Sequence, residues 1–320
     1  SRWCLNKIND YCRMKFLLPF ALLLTALFLG TGFTTPSSTA IDVSILPAVF
    51  ENNLIYVKVP VNKKDTLLFY TDTGGKNFLY KQGLKKLKVR YKKENLWRHT
   101  GFDTLFPKAG IPLPDVAKMY KLREKTKEDG MLGREWFREK IWELDYNVEQ
   151  LRVLPELDGT CVKLTDLTFI EDTYIKKTDK CGRFFMLVEG ESFPMLFDTG
   201  AQVKLSADAK TKLNQPELIA GSFISAITFD KWKAAHPEWE VIKGGDVSVE
   251  TEDLIKVPEL RVGEVTIGPV WFAKRSDENF VTLSSMCTNL PVVGAMGGNA
   301  LSQFGSIIAD YPGHKLYIRR

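Results

Sequence analysis

The tripeptide Asp-Thr-Gly occurs twice in this sequence, at Asp72–Gly74 and at Asp198–Gly200. Each copy follows an apolar run, Leu67–Tyr70 in the first case and Phe193–Phe197 in the second. Two carboxylates that are brought close together cannot both ionise, so the pair shares one proton. The ionised partner can then take a proton from water, while the protonated partner donates one to a carbonyl oxygen. The chemistry that these residues predict is the addition of water to an amide.

The residues around each aspartate suit this chemistry. Gly74 and Gly200 allow a tight turn that brings backbone N–H groups onto the carboxylates. Thr73 and Thr199 offer hydroxyls that can bond across to the opposite loop. A single Asp-Thr-Gly is best interpreted as an ordinary turn, because all three residue types favour turns. Two copies in equivalent positions favour catalysis.

The two tripeptides belong to a larger duplicated pattern. In each copy an apolar strand, a turn and a second apolar strand precede the tripeptide, which predicts a hairpin. A Gly-apolar-apolar-Gly segment follows downstream, at Gly130–Gly133 and Gly294–Gly297, and then a strand that ends in Asp-Tyr. This repeat predicts two lobes related by a pseudo-two-fold axis, which would bring Asp72 and Asp198 face to face. The predicted boundary is the polar turn at 155–159, with lobes at 41–155 and 156–320.

The remaining sequence is rich in strand patterns. Alternation predicts a strand with one wet face at 86–92, and a further hairpin through Leu260–Phe272. Thr228–Ala235 is predicted to be a short helix, broken at Pro237, and the charged segment 114–128 to be a surface helix.

Composition excludes several classes of protein. The chain has 320 residues, 44% of them hydrophobic and 26% charged, which indicates a globular protein rather than a disordered, collagen-like or multi-span membrane protein. The net charge of +5 is too small to favour nucleic acid as a partner. Three scattered histidines and the lack of a Cys-x-x-Cys pair argue against a metal site. The basic segment 76–93 is interpreted as a solvated strand face, or as a preference for acidic substrates.

The segment Phe16–Phe33 is strongly apolar, follows Met14 and Lys15, and leads into small residues that end at Ala40. This pattern predicts a secretory signal peptide at 1–40, with residues 1–13 lying before the true start and cleavage after Ala40. The alternative is an uncleaved N-terminal membrane anchor. Export to an oxidising compartment would allow a disulfide between Cys161 and Cys181, although three unpaired thiols are an equal possibility.

At the two Asp-Thr-Gly motifs and the two Gly-apolar-apolar-Gly segments, the sequence resembles the pepsin-like and retropepsin-like aspartic peptidases. The ordered pattern covers about residues 50 to 320. The resemblance implies an all-β, bilobal fold of two pseudo-symmetric β-barrel-like lobes with a few short helices, and a substrate cleft between the lobes. It also implies hydrolysis of peptide bonds by Asp72 and Asp198, without cofactor or metal. Both halves lie in one chain, so a monomer should suffice.

The sequence departs from this family in three respects. Gly75 stands where pepsin-like members usually carry Ser, while Ala201 matches the retropepsin form. The first lobe is short by pepsin standards. The hairpin that should close over the substrate is not evident; the segment 97–111 is the best candidate, with Trp97 and Phe102 as substrate-binding aromatics.

Two other functions fit the same fold. One is a binding protein for a peptide or a cell-envelope component, with a dyad that is weakly active or inactive. Gly75 and the short first lobe favour it, whereas two intact motifs count against it. The other is a peptidase restricted to one partner protein.

Overall fold

The computed structural model describes residues 44–60, 64–86, 118–120, 126–169, 181–288 and 290–320. The chain divides into the units Ser1–Ala40 and Ile41–Arg320, and every described residue belongs to the second unit. That unit consists mainly of strands with short helices, so the predicted all-β fold class is confirmed.

The strands are numbered in chain order: β1 Ser44–Ile45, β2 Ala48–Glu51, β3 Leu54–Pro60, β4 Thr66–Asp72, β5 Phe78–Tyr80, β6 Lys118–Tyr120, β7 Gly130–Gly133, β8 Ile141–Asp145, β9 Gln150–Leu154, β10 Cys161–Asp166, β11 Arg183–Val188, β12 Glu191–Phe197, β13 Gln202–Lys204, β14 Leu218–Ala220, β15 Ser222–Ser225, β16 Val241–Asp246, β17 Glu252–Val257, β18 Leu260–Val262, β19 Val265–Ile267, β20 Val270–Arg275, β21 Gly294–Met296, β22 Ser306–Asp310 and β23 Lys315–Arg319. The α-helices are α1 Lys81–Lys86, α2 Arg134–Phe137, α3 Ala207–Leu213, α4 Ala226–Ala235, α5 Asp277–Leu283 and α6 Gly298–Leu301. A π-helical turn at Ser284–Thr288 and a 3-10 turn at Ser302–Phe304 complete the elements.

Each half of the chain forms a large sheet of its own, and a third sheet joins the two halves. The first lobe contains a six-stranded sheet in the order β2-β3-β4-β7-β5-β6. The second lobe contains a nine-stranded sheet in the order β16-β17-β20-β15-β21-β12-β11-β18-β19, and a short β13-β14 pair. The central sheet, β1-β9-β8-β22-β23-β10, takes strands from both halves. The two lobes therefore share this central sheet.

The duplicated sequence pattern is also a duplicated topology. The predicted hairpins are confirmed as β3-β4 and β11-β12, both antiparallel. In each lobe the second strand of the hairpin pairs in parallel with the Gly-apolar-apolar-Gly strand, β4 with β7 and β12 with β21. Each Asp-Thr-Gly therefore leaves its sheet at an equivalent point.

The lobes meet on the central sheet through β8 and β22, the two strands that end in Asp-Tyr. They run antiparallel, with Glu143 opposite Ile308. Glu143 is buried; it accepts a hydrogen bond from Ser306 Oγ at 2.8 Å and lies 3.1 Å from Arg152 Nη1. Burial opposes the charge on Glu143, yet hydrogen bonds from Arg319, Ser306 and Arg152 hold its pKa below the ordinary value. Charged groups from both halves thus stabilise the sheet that joins them.

One prediction of local structure is confirmed, and a second is confirmed in part. The helix expected at Thr228–Ala235 is α4, which Ser225 caps by accepting a hydrogen bond from the Thr228 N–H. The hairpin expected from Leu260 onward is β18-β19, while β20 pairs with β17.

The predicted helix over 114–128 is wrong where the structure describes it. Lys118–Tyr120 forms β6, because these residues pair in parallel with β5 and extend the edge of the first-lobe sheet. Of the predicted strand 86–92, Lys86 ends α1 and the other residues lie outside the described part of the chain. Within the described residues, no helix is long and apolar enough to cross a bilayer.

The possible bond between Cys161 and Cys181 is not formed. Cys161 has a free thiol at the start of β10, in the central sheet. Cys181 belongs to another disulfide and is fully buried, with its sulfur 3.3 Å from the carbonyl oxygen of Gly74. The two cysteines therefore lie in different places: Cys161 in the central sheet and Cys181 beside the first Asp-Thr-Gly loop.

Candidate active site

The two Asp-Thr-Gly loops lie against each other between the lobes. Asp72 is the last residue of β4, and Asp198 directly follows β12. Each carboxyl group lies close enough to the other to influence its pKa. A Cβ built on Gly74 would lie 3.0 Å from Asp198 Cγ, and one built on Gly200 would overlap Asp72 Cγ. Each glycine thus faces the carboxyl group of the opposite loop, and any side chain there would separate the pair.

Backbone groups orient each carboxyl from within its own loop. Gly74 N donates to Asp72 Oδ1 at 2.9 Å, and Gly200 N donates to Asp198 Oδ1 at 3.0 Å. The turns are closed by Gly75 N to the Asp72 carbonyl at 3.1 Å and by Ala201 N to the Asp198 carbonyl at 3.3 Å. Equivalent backbone N–H groups therefore orient the two carboxyl groups. Because these donors belong to the backbone, no side chain loses conformational entropy in making the bonds.

The threonines tie one loop to the other. Thr73 Oγ1 donates to the Phe197 carbonyl at 2.7 Å and accepts from Thr199 N at 3.0 Å. Thr199 Oγ1 in turn accepts from Thr73 N at 3.2 Å. Both side chains are fully buried, so water cannot replace these bonds. We call these three bonds the threonine clasp.

Both dyad carboxyls resist ionisation. Burial raises the pKa of Asp72, while hydrogen bonds from Asp198, Gly75 and Gly74 lower it in part. Burial raises the pKa of Asp198 well above its ordinary value, and the negative charge of Asp72 raises it further. The pair titrates as a unit, so the shared proton belongs to the dyad rather than to either carboxyl group.

Arg134 is a functional residue that the sequence reasoning missed. It follows Gly133 directly, is buried, and places Nη1 3.4 Å from the Gly74 carbonyl oxygen. Its positive charge helps to lower the pKa of Asp72. The equivalent position in the second lobe is Gly298, which carries no charge. A comparison of the two Gly-apolar-apolar-Gly segments beyond their last glycine would have revealed this asymmetry.

Gly75, the departure from the pepsin-like pattern, has a local steric reason. A Cβ at this position would lie 2.6 Å from Asp72 Oδ2 and would overlap Met131 Cε. A serine therefore does not fit this loop without moving the carboxyl group. Ala201, at the matching position, is buried beneath the second loop.

Trp97 and Phe102, the proposed lid aromatics, lie outside the described residues. Among the residues that are described, no group of three or more His, Cys, Asp or Glu is placed to bind a metal ion.

Comparison with known proteins gives likenesses to solved structures alone. No protein-family model matches the chain, and no curated protein matches it. Among solved structures, the crystal structure of the aspartic proteinase from Irpex lacteus is similar, with 10% sequence identity and a TM-score of 0.49. The match covers 87% of this chain and 97% of that chain.

The threonine clasp predicts a stability loss. Thr73→Val removes the donor to the Phe197 carbonyl and the acceptor of Thr199 N, and leaves both buried groups unpaired. We expect the free energy of unfolding to fall by about 2–4 kcal/mol, measured by chemical denaturation. Thr73→Ser keeps the hydroxyl and should lose about 1 kcal/mol. Equal stability of the two variants would contradict the assignment.

The raised pKa of Asp198 predicts a pH-dependent stability. A carboxyl group whose pKa is raised by folding stabilises the protein below its ordinary pKa, and this contribution is lost as the pH rises through the raised value. Asp198→Asn stays neutral throughout. Thermal melts should therefore show a Tm advantage of the variant over the wild type that grows from pH 3.5 to pH 7. The exposed Asp166→Asn should show no such trend; a constant difference for Asp198→Asn would count against the raised pKa.

Proposed function

We propose that this protein is an aspartic-type endopeptidase. One observation carries the proposal: Asp72 and Asp198 lie in equivalent, interlocked loops of a duplicated fold, and each carboxyl group faces the glycine of the opposite loop. The cross-lobe bonds of Thr73 and Thr199 hold this geometry. A partly buried carboxyl pair that shares one proton is suited to activate water against an amide carbonyl.

The reaction follows from the protonation of the pair. Asp72 takes a proton from the attacking water, whose oxygen bonds to the amide carbon, while Asp198 gives its proton to the carbonyl oxygen. The product of this step is a neutral tetrahedral diol. Asp72 then returns its proton to the amide nitrogen, Asp198 recovers one from a diol hydroxyl, and the C–N bond breaks. The products are an acid and an amine, and no covalent enzyme intermediate forms.

The asymmetry of the dyad supports this division of roles. The positive charge of Arg134 favours the ionised form of Asp72, and the charge of Asp72 favours the protonated form of Asp198. The residues involved need no cofactor, and one chain supplies both halves.

A peptide-binding protein with an inactive dyad is the alternative. The absence of a Ser at position 75 was the main local feature in its favour. Because a Cβ there would strike the Asp72 carboxyl group, Gly75 is better understood as a requirement of this loop. A binding protein with an inactive dyad is therefore treated as one possible result of the peptide-cleavage experiment.

We further propose that the protein acts outside the cytoplasm after export. The apolar segment Phe16–Phe33 and the small residues up to Ala40 support a cleaved signal peptide. The disulfide at Cys181 supports an oxidising compartment.

Export can be tested with the full chain in a secreting host. We expect the exported protein to begin at Ile41, as determined by N-terminal sequencing. Leu23→Arg, which places a charge in the apolar segment, should abolish export. An uncleaved chain recovered with the membrane fraction would instead support the N-terminal anchor.

Catalysis can be tested with the purified protein and a mixed peptide library between pH 3 and pH 8. We expect cleavage that declines toward high pH as the shared proton is lost, and that a statine-type inhibitor blocks. Asp72→Asn and Asp198→Asn should each reduce kcat/KM by about 10²–10⁴-fold, because each removes the acid–base function of the pair.

Asp166→Asn, on an exposed carboxyl group, is the matched control and should be fully active. Cleavage that survives Asp198→Asn would refute the dyad and indicate a contaminant or another site. Folded protein that binds the inhibitor but cleaves nothing would favour the binding protein, or a peptidase with a single narrow substrate.

A further inference from the structure

The second lobe carries an insertion that the first lobe lacks. Strands β5 and β15 are equivalent, since each pairs antiparallel with the Gly-apolar-apolar-Gly strand of its own lobe. Residues 75–77 lead from Gly74 to β5, whereas residues 201–221 lead from Gly200 to β15 and contain β13, α3 and β14. We call residues 201–221 the inserted segment. It begins directly after the second Asp-Thr-Gly.

The inserted segment encloses a cavity of about 260 Å³ together with the sheet of the second lobe. Six apolar side chains form its walls: Val203, Leu205, Leu213, Ile219, Leu254 and Trp271. Val203, Leu205 and Leu254 are at most 3% exposed, so the inner walls are buried. Ordinary packing leaves few voids larger than a water molecule, and an apolar cavity of about 150 Å³ already accepts benzene. This cavity therefore has room for a fused pair of rings.

Amide groups supply the polar part of the lining. They belong to Asn52, Asn53, Gln215 and Asn299, and none of the described lining residues is charged. Asn299 is already engaged, because it accepts from Ser222 Oγ at 2.7 Å and donates to the Trp271 carbonyl at 3.0 Å. Asn53 and Gln215 are exposed, and within the described part of the chain their side chains make no hydrogen bond. Both can serve a ligand as donor or acceptor.

The first lobe contributes a fixed wall to the cavity. Asn52 and Asn53 form the turn between β2 and β3, with φ of 52° and 64°. The Asn52 carbonyl accepts from Ala220 N at 3.0 Å, and Asn52 Nδ2 donates to the Leu218 carbonyl at 3.1 Å. A Cβ on Gly298 would lie 2.2 Å from the Asn53 carbonyl oxygen, so the turn packs directly on the second lobe. The cavity is thus preformed, and a ligand need not order its walls.

We propose that this cavity is a binding site for a small uncharged aromatic molecule, of one or two fused rings with one hydrogen-bonding group. The rings contact the apolar walls, and the polar group meets the amide of Asn53 or Gln215. A charged molecule would lose its hydration there without gaining a countercharge.

The site lies beside the second Asp-Thr-Gly loop but is separate from the dyad. Gly221 lines the cavity, and its N–H donates to the Ala201 carbonyl at 2.9 Å. Neither Asp72 nor Asp198 is among the lining residues. The inference therefore goes beyond the proposed peptidase function and does not depend on it.

Indole is the probe, because it has two fused rings, no charge and one N–H donor. In an NMR titration of the purified protein we expect a Kd below about 1 mM. Indole-3-carboxylate carries a negative charge on the same rings and should bind at least about tenfold more weakly. No binding of indole up to that concentration, or equal affinity for the two compounds, would overturn the inference.

A matched pair of variants locates the site. Leu213→Trp places a larger side chain into the cavity from the half-buried end of α3, and should weaken indole binding at least about tenfold. Leu218→Trp makes the same substitution at an exposed residue outside the lining, and should bind indole as the wild type does. Equal binding by Leu213→Trp and the wild type would contradict the assignment.

A second measurement decides the matter if Leu213→Trp does not fold. Nuclear Overhauser contacts between indole and the methyl groups of Leu205 and Leu254 should appear in the wild-type protein. Binding without these contacts would place indole elsewhere and refute the site.

The outcomes separate this site from the proposed function. Asp198→Asn should bind indole with the affinity of the wild type, because the dyad is not part of the cavity. A protein that binds indole here but cleaves no peptide would support the site and count against the peptidase. A protein that cleaves peptides through Asp198 but does not bind indole would refute the site alone.

Discussion

The threonine clasp is the interaction on which the rest of the site depends. Asp72 and Asp198 lie on separate lobes, and their partly buried carboxyl groups repel when both are charged. The bonds of Thr73 and Thr199 hold the two loops together in spite of that repulsion. Because each threonine bonds to the backbone of the other lobe, neither loop can relax alone. The proton shared by the dyad is a consequence of this enforced closeness.

The central sheet provides the same constraint on a larger scale. Antiparallel pairing of β8 with β22 fixes the two lobes beneath the Asp-Thr-Gly loops, and Glu143 with Arg319 and Ser306 stabilises that junction. The clasp acts over a few ångströms, so it needs lobes that already meet in register. Tyr70 adds a third connection, because its hydroxyl donates to the carbonyl oxygen of Gly200 in the second lobe. The central sheet, the two Asp-Thr-Gly loops and Tyr70 thus all connect the same two lobes.

The features that the sequence predicted correctly are those that depend on residues close together in the chain. The hairpins that end at Asp72 and at Phe197 depend on alternation and turn residues, and α4 on a nearby Ser cap. The edge strand Lys118–Tyr120 was missed because charged residues suit an exposed helix and an edge strand equally well. The roles of Arg134 and Tyr70 depend on the opposite lobe or on a distant loop, and no local pattern records such a contact.

Arg134 and Tyr70 share one more property: neither has a counterpart in the other half of the chain, where Gly298 and Leu196 stand. In an assembly of two identical halves, any residue beside one carboxyl group must recur beside its twin, and the acid and base would be interchangeable. Fusion of the halves into one polypeptide removes this degeneracy. A peptide bound beside the two carboxyl groups would therefore meet different neighbouring groups in each of its two possible orientations.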